Sequence, residues 1–427
     1  MPQDPRAYRR RWIAWALYDV ANSSFFLVIV TAVFPLYFQS IYAAAHGDPA
    51  NAGLLQQGGA ALAFTATLAM AVVAVLGPVL GAVADRSASK KRFLAGFAGL
   101  GVLATAAMVF VGPTDWRLAA VLYALGTIGV AGSMVFYDAL LPAVAREDDI
   151  DRVSSVGFAA GYLGSVVLFV GIVVLIGLGW PSKAWATRLS FGAVALWWAV
   201  FTLPVLRSVP EPAVDNPGRA SVLDGFRQLA STFRKAARYR ELLLFLLAFW
   251  VYSDGIGTII KLAAPFGKTL GVPDEKLLYA IILSNLIGVP CALGFGWLAK
   301  RAGAKRAILL GLAVYASICV YARFMRSAGD FFILAAAVGL VQGGTQALSR
   351  ALFATLVPKG QTGEFFGFFS AMEKFAGLLG PLILGLYWSD KDGDPRRGVF
   401  AIIVFFVVGF VLLSFVDPAK GRAEAQT

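Results

Sequence analysis

The sequence contains little that could bind a metal or form a disulfide framework. It has two cysteines, Cys291 and Cys319, both in apolar segments, and one histidine, His46, in a polar loop. Two isolated cysteines provide neither a disulfide network nor metal-ligand spacing, and one histidine excludes His-based metal sites and haem held by two histidines. We therefore expect no metal and no cofactor.

Charged residues are also scarce, at 15% of the chain, whereas 59% of its residues are hydrophobic. A soluble domain carries about a quarter charged residues, so lipid is predicted to be the main solvent of this protein. The phosphate-binding pattern GxxxxGK[ST] is absent. An intramembrane enzyme would need a clustered nucleophile and base or a metal set, which the single loop histidine disfavours, so we do not expect an enzyme.

Apolar stretches long enough to cross a membrane recur along the whole chain. They begin near residues 13, 58, 93, 117, 154, 186, 241, 276, 307, 330, 363 and 397. A span of about 20 apolar residues crosses the hydrocarbon core, and lipid cannot satisfy an open backbone, so each span must be a helix. The sequence predicts an all-α membrane protein with twelve transmembrane helices.

Positive charge is concentrated on one side of the predicted membrane. The formal net charge is +12, and Lys and Arg are more than twice as frequent in the loops on the side of the two termini. This bias predicts that both termini are cytoplasmic, in a multi-pass protein of the cell membrane. The basic N-terminus through Arg11 leads into a span too long for a cleavable signal, so we interpret it as a permanent helix. The chain has no basic domain of the kind that binds nucleic acid, so we expect no nucleic-acid partner.

The longest loop divides the chain into six spans and six. We predict a first bundle over 1–209, a linker over 210–240 and a second bundle over 241–427. Within the linker, Val222, Phe226, Leu229 and Phe233 recur at helical spacing among basic residues. This favours an amphipathic helix on the cytoplasmic interface, and a solvated tether is the alternative.

The two halves repeat each other. Three patterns recur at an offset of 215 or 216 residues: Gly81-x-x-x-Asp85-Arg86 with Gly296-x-x-x-Lys300-Arg301, Leu141-Pro142 with Val357-Pro358, and Gly161-x-x-Gly164 with Gly377-x-x-Gly380. A shared register indicates duplicated halves related by an axis along the membrane normal, which is a known transporter plan. We therefore predict two pseudo-symmetric six-helix bundles.

Polar residues fall on every third span. They are Asp19 and Asn22 in span 1, Tyr137 and Asp138 in span 4, Tyr252, Asp254, Thr258 and Lys261 in span 7, and Gln342, Thr345, Gln346, Ser349 and Arg350 in span 10. A charge at bilayer depth costs at least about 2.5 kcal/mol, so each needs a partner, a cavity or a function. The pattern favours a solute path between the bundles, and polar contacts that only fix helix packing are the alternative.

Individual roles follow from position. Asp19 and Asp254 are candidates for solute binding or proton exchange, and Lys261 either extends outward or contacts the solute. Lys374 in span 11 reaches a carboxylate on another helix or an anionic group of the solute. The set predicted for solute binding or coupling is Asp19, Asn22, Tyr252, Asp254, Thr258, Gln342, Gln346 and Lys374.

The loop GAVADRSASKKR, residues 81–92, resembles the signature between spans 2 and 3 of the major facilitator superfamily. The resemblance implies the major facilitator fold and an acidic residue, here Asp85, that caps a neighbouring helix and locks the outward-open state. The sequence departs from the pattern at Ala88 or Ser89, where the family usually has glycine. Lys300 replaces the acid in the second copy. We assign Asp85, Arg86, Asp138 and Arg350 to gating.

Further segments resemble the autophagy-related vacuolar amino-acid effluxer family and its bacterial relatives. They are WALYDVANSSF (15–25), GFAAGYLG (157–164), YSDGIGT (252–258), GLVQGGTQALSRALFATLVP (339–358) and GEFFGFFSAMEKFAGLLGP (363–381). The resemblance implies that fungal members export amino acids from vacuoles, and it leaves the solute of bacterial members open. It carries over Asp19, Asn22, Asp254, Gln342, Gln346, Arg350, Glu364 and Lys374 as candidates without individual roles.

These observations together predict a secondary active transporter that works by alternating access. Its solute is expected to be small and polar, with an amino acid first, and coupling to protons through Asp19 or Asp254 is a hypothesis. The 33 phenylalanines keep open an exporter of hydrophobic compounds with the same fold. Short loops suggest that a monomer suffices.

Overall fold

A computed structural model describes residues 4–425 apart from 88, 146–149, 180, 212–230, 232–233, 236–237, 358–364, 366–367, 370–371, 374–375 and 391–392. It gives no side-chain description within helices for residues 74–87, 139, 142–143, 150–152, 154–155, 158, 289, 292–293 and 300. The predicted linker helix and the candidates Lys374 and Glu364 therefore lie outside the described residues. For Asp85 and Arg86 only the backbone is described.

Helices account for nearly all of the described chain. In the first half they are α1 (Pro5–Phe25), α2 (Val33–Ala45), α3 (Ala52–Ser87), α4 (Lys90–Ala107), α5 (Trp116–Val144), α6 (Ile150–Leu178) and α7 (Lys183–Ser208). In the second half they are α8 (Arg240–Thr269), α9 (Asp274–Ala302), α10 (Ala304–Phe324), α11 (Ala328–Leu356), α12 (Leu379–Trp388), α13 (Pro395–Ala401), α14 (Ile403–Phe415) and α15 (Pro418–Glu424).

Ten helical segments of the described residues are long and apolar enough to cross a membrane, and α12 is a shorter apolar helix. The ten segments, α12 and α9 together cover all twelve predicted spans, one for each span. Large apolar side chains are exposed along these helices, including Phe110 at 81% and Leu103 at 72%. Water would not tolerate so much exposed apolar surface, so these faces contact lipid. The prediction of an all-α membrane protein is confirmed.

Span 1 is not a uniform α-helix. A π-helical segment over Phe26–Ala32 separates α1 from α2. Pro35 in the first turn of α2 has no backbone N–H for the carbonyl one turn earlier, and the N–H of Val33 bonds the carbonyl of Val28, five residues back. The proline explains the wider turn, and π-helical turns are frequent at functional sites.

Span 11 is broken, contrary to the expectation of a continuous helix. The N–H of Ala376 still bonds the carbonyl of Met372, but Gly377 has a φ of +120° and α12 begins only at Leu379. Pro381 explains the break, because a proline ring clashes with the carbonyl four residues earlier, which is that of Gly377. A left-handed φ at that point suits glycine alone.

The chain forms two compact units. The N-terminal unit comprises residues 1–47 and 68–228, and the C-terminal unit comprises 48–67 and 229–427. The first part of α3 thus clusters with the second unit, where the amide of Gln56 donates to the carbonyl of Asp390 at 2.5 Å and Phe64 lies beside Gly385. The predicted bundle boundaries stay a prediction.

Candidate functional site

In the N-terminal unit the buried carboxylate of Asp19 lies on α1, where only 5% of the residue is exposed. The hydroxyl of Tyr137 on α5 donates to its Oδ2 at 2.8 Å, and the amide of Asn22 approaches its Oδ1 at 3.4 Å. Asn22 also donates to the carbonyl of Tyr18 at 3.0 Å, which fixes the amide along α1. Asp19 and Asn22 therefore share one face, as predicted, and that face meets α5.

Aromatic stacking positions the Tyr137 hydroxyl. The ring of Tyr137 stacks on Trp15 with centroids 4.3 Å apart, and the indole N–H of Trp15 donates to the Tyr137 carbonyl at 3.1 Å. Because the indole contacts both the ring and the backbone of Tyr137, the tyrosine has little freedom to leave Asp19.

Glycines on α6 allow this helix to approach Asp19. A Cβ at Gly157 would lie 2.7 Å from Oδ2 of Asp19, and one at Gly161 would lie 2.6 Å from the Ser23 hydroxyl. A side chain at either position would have to displace the Asp19 carboxylate or the Ser23 hydroxyl. The predicted glycine motif of span 5 is thus a close contact between α6 and the polar face of α1.

A Tyr–Ser hydrogen bond joins the first and fourth spans of each unit. Tyr18 donates to Ser133 at 2.6 Å in the N-terminal unit, and Tyr252 lies 2.6 Å from the Ser349 hydroxyl in the C-terminal unit. Ser349 gives its own proton to the carbonyl of Thr345 at 2.7 Å, so Tyr252 is the donor. Ser133 and Ser349 are 216 residues apart, in the register of the predicted repeat.

Asp254 in the C-terminal unit is bound differently from Asp19. Its Oδ2 accepts from the backbone N–H of Leu379 at 2.9 Å and its Oδ1 from that of Gly380 at 2.8 Å. These are the first two residues of α12, whose own N-cap residue, Leu378, makes no side-chain cap. A carboxylate at the positive end of a helix is stabilising. Asp254, which is 1% exposed, therefore caps the restarted half of span 11.

Thr258 completes this contact one turn further along α8. Its hydroxyl donates to the carbonyl of Asp254 at 2.7 Å, and a Cβ at Gly380 would overlap the Thr258 hydroxyl. Tyr252, Asp254 and Thr258 are thus all buried in helix contacts. Whether they also meet a solute stays a prediction.

Gln342 and Gln346 on α11 are more accessible than these groups. Gln342 is half-buried and Gln346 is exposed, whereas Ser349 on the predicted common face is buried. Neither glutamine side chain makes a hydrogen bond to another residue within the described parts of the chain. The polar set therefore divides into buried groups that join helices and accessible groups with unused donors and acceptors.

Of the four gating candidates, the structure describes the side chains of Arg350 and Asp138. Arg350 forms an ion pair with Glu373 at 3.8 Å, with both side chains more than a third exposed, and such a pair contributes little stability. Asp138 is half-buried on α5. The N-terminus of α4, next to the Asp85 loop, is capped by Glu211, which accepts from the N–H of Lys91 at 3.1 Å. The gating roles stay predictions.

Comparison with known proteins places the chain in a family. The model of the family described as "Vacuole effluxer Atg22 like" matches residues 7–426. The chain belongs to this family. An uncharacterized MFS-type transporter, YxiO of Bacillus subtilis (strain 168), is 38% identical over 97% of this chain and 96% of its own length. Autophagy-related protein 22 of Coccidioides immitis (strain RS) is 25% identical over 85% of this chain and 73% of its own length.

Solved structures agree on the fold. A mutant of the nucleoside transporter NupG and a D-xylose–proton symporter each align with a TM-score of 0.69, at 13% and 14% identity. The alignments cover 94% and 97% of this chain and 98% and 99% of those chains. This chain therefore has the major facilitator fold, and its 38% identity to an MFS-type transporter makes it a membrane transporter of that type. At 13% and 14% identity the likeness to the solved structures says nothing of the solute.

Sequence reasoning missed several residues that make the polar contacts described above. Trp15, Tyr18 and Ser133 were not among the candidates, although the 216-residue register links Ser133 to Ser349. The backbone donors of Leu379 and Gly380 were also missed. Pro381 was the available signal, because a proline within an apolar span indicates a break and a helix start that needs a cap.

Proposed function

We propose that this protein is a secondary active transporter that moves a small polar solute, with an amino acid as the first class to test. It would work as a monomer in the cell membrane, with both termini in the cytoplasm, and expose its site alternately to the two sides. An arrangement of two similar bundles is well suited to this motion.

The observation that carries the proposal is the split between buried and accessible polar groups. The buried Tyr–Ser bonds and the Asp254 cap hold helices together inside each unit. Gln342 and Gln346 retain donors and acceptors that no other described residue uses. Amides at lipid depth cost free energy unless they have a polar partner, and a polar solute provides one.

Proton coupling is assigned to Asp19 rather than Asp254. Each carboxylate oxygen of Asp254 accepts from one backbone N–H group at the start of α12. Asp19 has contacts with a phenol and an amide, and a phenolic hydroxyl both donates and accepts. A proton on Asp19 lets Tyr137 reverse its hydrogen bond, whereas a proton on one oxygen of Asp254 would compete with a backbone N–H of α12 for that oxygen.

Uptake into proteoliposomes tests this function. The wild-type protein should take up or exchange labelled amino acids, and an imposed pH gradient should drive accumulation. Asp19→Asn should abolish gradient-driven accumulation while retaining exchange. Uptake of cationic dyes without any amino acid would instead support the exporter of hydrophobic compounds, and Asp19→Asn accumulation equal to wild type would remove Asp19 from coupling.

A further inference from the structure

Lys261 is a cation at the break of span 11 that the helix contacts do not use. It lies on α8 seven residues after Asp254, so the two side chains share a face, and their charges interact. The Lys261 Nζ atom is 3.0 Å from the position that a Cβ would occupy on Gly377. Because Gly377 has no side chain, the ammonium reaches the point where the helix is interrupted.

The first N–H groups of α12 already have acceptors within the protein. Leu379 and Gly380 donate to Asp254, Pro381 has no N–H, and Leu382 donates to the carbonyl of Leu378 at 3.4 Å. The donors at the first three positions of α12 are thus accounted for, and Leu382 makes the first bond within the helix. Lys261 is therefore the charged donor that an anion would meet at this break.

The Lys261 ammonium has donors to spare. Lys261 is partly buried, and it makes no hydrogen bond and no ion pair to another residue in the portion of the chain that the structure describes. An ammonium has three donors, and polar groups removed from water are almost always bonded. Lys268, two turns further along the same helix, provides the contrast, because its Nζ lies 2.8 Å from Asp274.

We propose that Lys261 binds the anionic group of the solute, a carboxylate, at the break of span 11. This inference rests on the proposed function and narrows it to solutes that carry a carboxylate. A carboxylate supplies charge-assisted acceptors for the unused donors. A neutral sugar or a cationic dye supplies no such charge, so the site selects against both.

Matched acids and amides test this assignment in the full-length purified protein. The probes are L-alanine, L-leucine, L-tyrosine and L-glutamate, each paired with its α-amide, and the dissociation constants come from the dose dependence of the thermal unfolding temperature. In the wild type each bound acid should bind at least about 10-fold more tightly than its amide. Lys261→Gln should remove this preference, and Lys261→Arg should retain most of it.

Lys268→Gln is the matched control, because it removes a partnered lysine from the same face of α8. It should lower the unfolding temperature without ligand and leave the preference for acids intact. If Lys261→Gln does not fold, Lys261→Met replaces it, since its apolar side chain suits the buried surroundings.

The outcomes separate this inference from the proposed function. If amino acids bind and are transported but Lys261→Gln keeps the wild-type preference, Lys261 does not bind the carboxylate and the transport proposal stands. If the wild type binds acids and amides equally well, Lys261 likewise does not bind the carboxylate, and the transport proposal stands. If no amino acid binds while a sugar or a cationic dye does, the proposed solute class is wrong and the carboxylate site with it.

Discussion

The same glycine motif meets two different partners in the two units. In the N-terminal unit a Cβ at Gly164 would overlap Val20, and α6 continues through this contact without interruption. In the C-terminal unit the equivalent Gly380 faces Asp254 and Thr258, and the helix is broken at Gly377. Both units thus keep a close helix contact at this glycine, but the contact is apolar in the N-terminal unit and polar in the C-terminal unit.

Two residue differences between the halves account for the break in span 11 and the contact made there. Pro381 stands where the 216-residue register places Ser165, whose hydroxyl donates to the Tyr162 carbonyl of its own helix at 3.0 Å. Asp254 follows Tyr252 by two residues, as Val20 follows Tyr18. A proline that breaks span 11 leaves backbone donors open, and an aspartate in place of valine satisfies them. The buried aspartates of the two units therefore make different contacts.

Replacing either glycine by alanine, which adds a methyl group, should give the largest loss of stability. Gly380→Ala should destabilise the protein by about 3 kcal/mol, because the new Cβ would displace both Thr258 and the capping carboxylate. Gly164→Ala should cost less, because Val20 is an apolar side chain without hydrogen bonds to lose. Thermal unfolding in detergent measures both, and equal losses would contradict the distinction between the two contacts.

Removal of the cap should have the next largest effect. Asp254→Ala should cost about 2 kcal/mol, since the N–H groups of Leu379 and Gly380 lose their acceptor. Asp254→Asn keeps one acceptor oxygen and should lose less. Hydrogen exchange should show faster exchange of the first α12 amides in Asp254→Ala, and an unchanged rate there would mean that Asp254 does not hold the helix start.

The Tyr–Ser bonds should respond alike in both units. Tyr18→Phe and Tyr252→Phe should each cost about 1 kcal/mol, because each leaves a buried serine without its donor at an equivalent place in the repeat. Double-mutant cycles with Ser133→Ala and Ser349→Ala isolate the bond itself. A coupling found in one unit and absent from the other would weaken the structural equivalence of the two.

The smallest effect is expected for Glu373→Gln. The Arg350–Glu373 pair is exposed and 3.8 Å long, so its loss should cost less than about 1 kcal/mol. A loss as large as that of Asp254→Ala would show that the pair does more than its geometry indicates. Thermal unfolding at low and at high salt separates the two cases.

The sequence was sufficient to predict the membrane class, the helical spans and the repeat, because lipid demands long apolar helices and leaves few alternatives. The break in span 11 was not predicted, since hydropathy averages over the single proline that causes it. The Asp254 contact was not predicted either, because Pro381 indicates a helix start that needs a cap but nothing in the sequence says which side chain provides it. Burial of the Tyr–Ser bonds depends on which helices meet, and span positions alone do not fix that.

The most direct test compares Asp19→Asn with Asp254→Asn in two measurements on the same preparations, thermal unfolding and amino-acid accumulation driven by a pH gradient. The account predicts that Asp19→Asn loses accumulation with a smaller change in unfolding temperature, and that Asp254→Asn loses thermal stability and still accumulates the solute. A stable Asp254→Asn protein that no longer responds to the gradient, beside an Asp19→Asn protein that does, would contradict it.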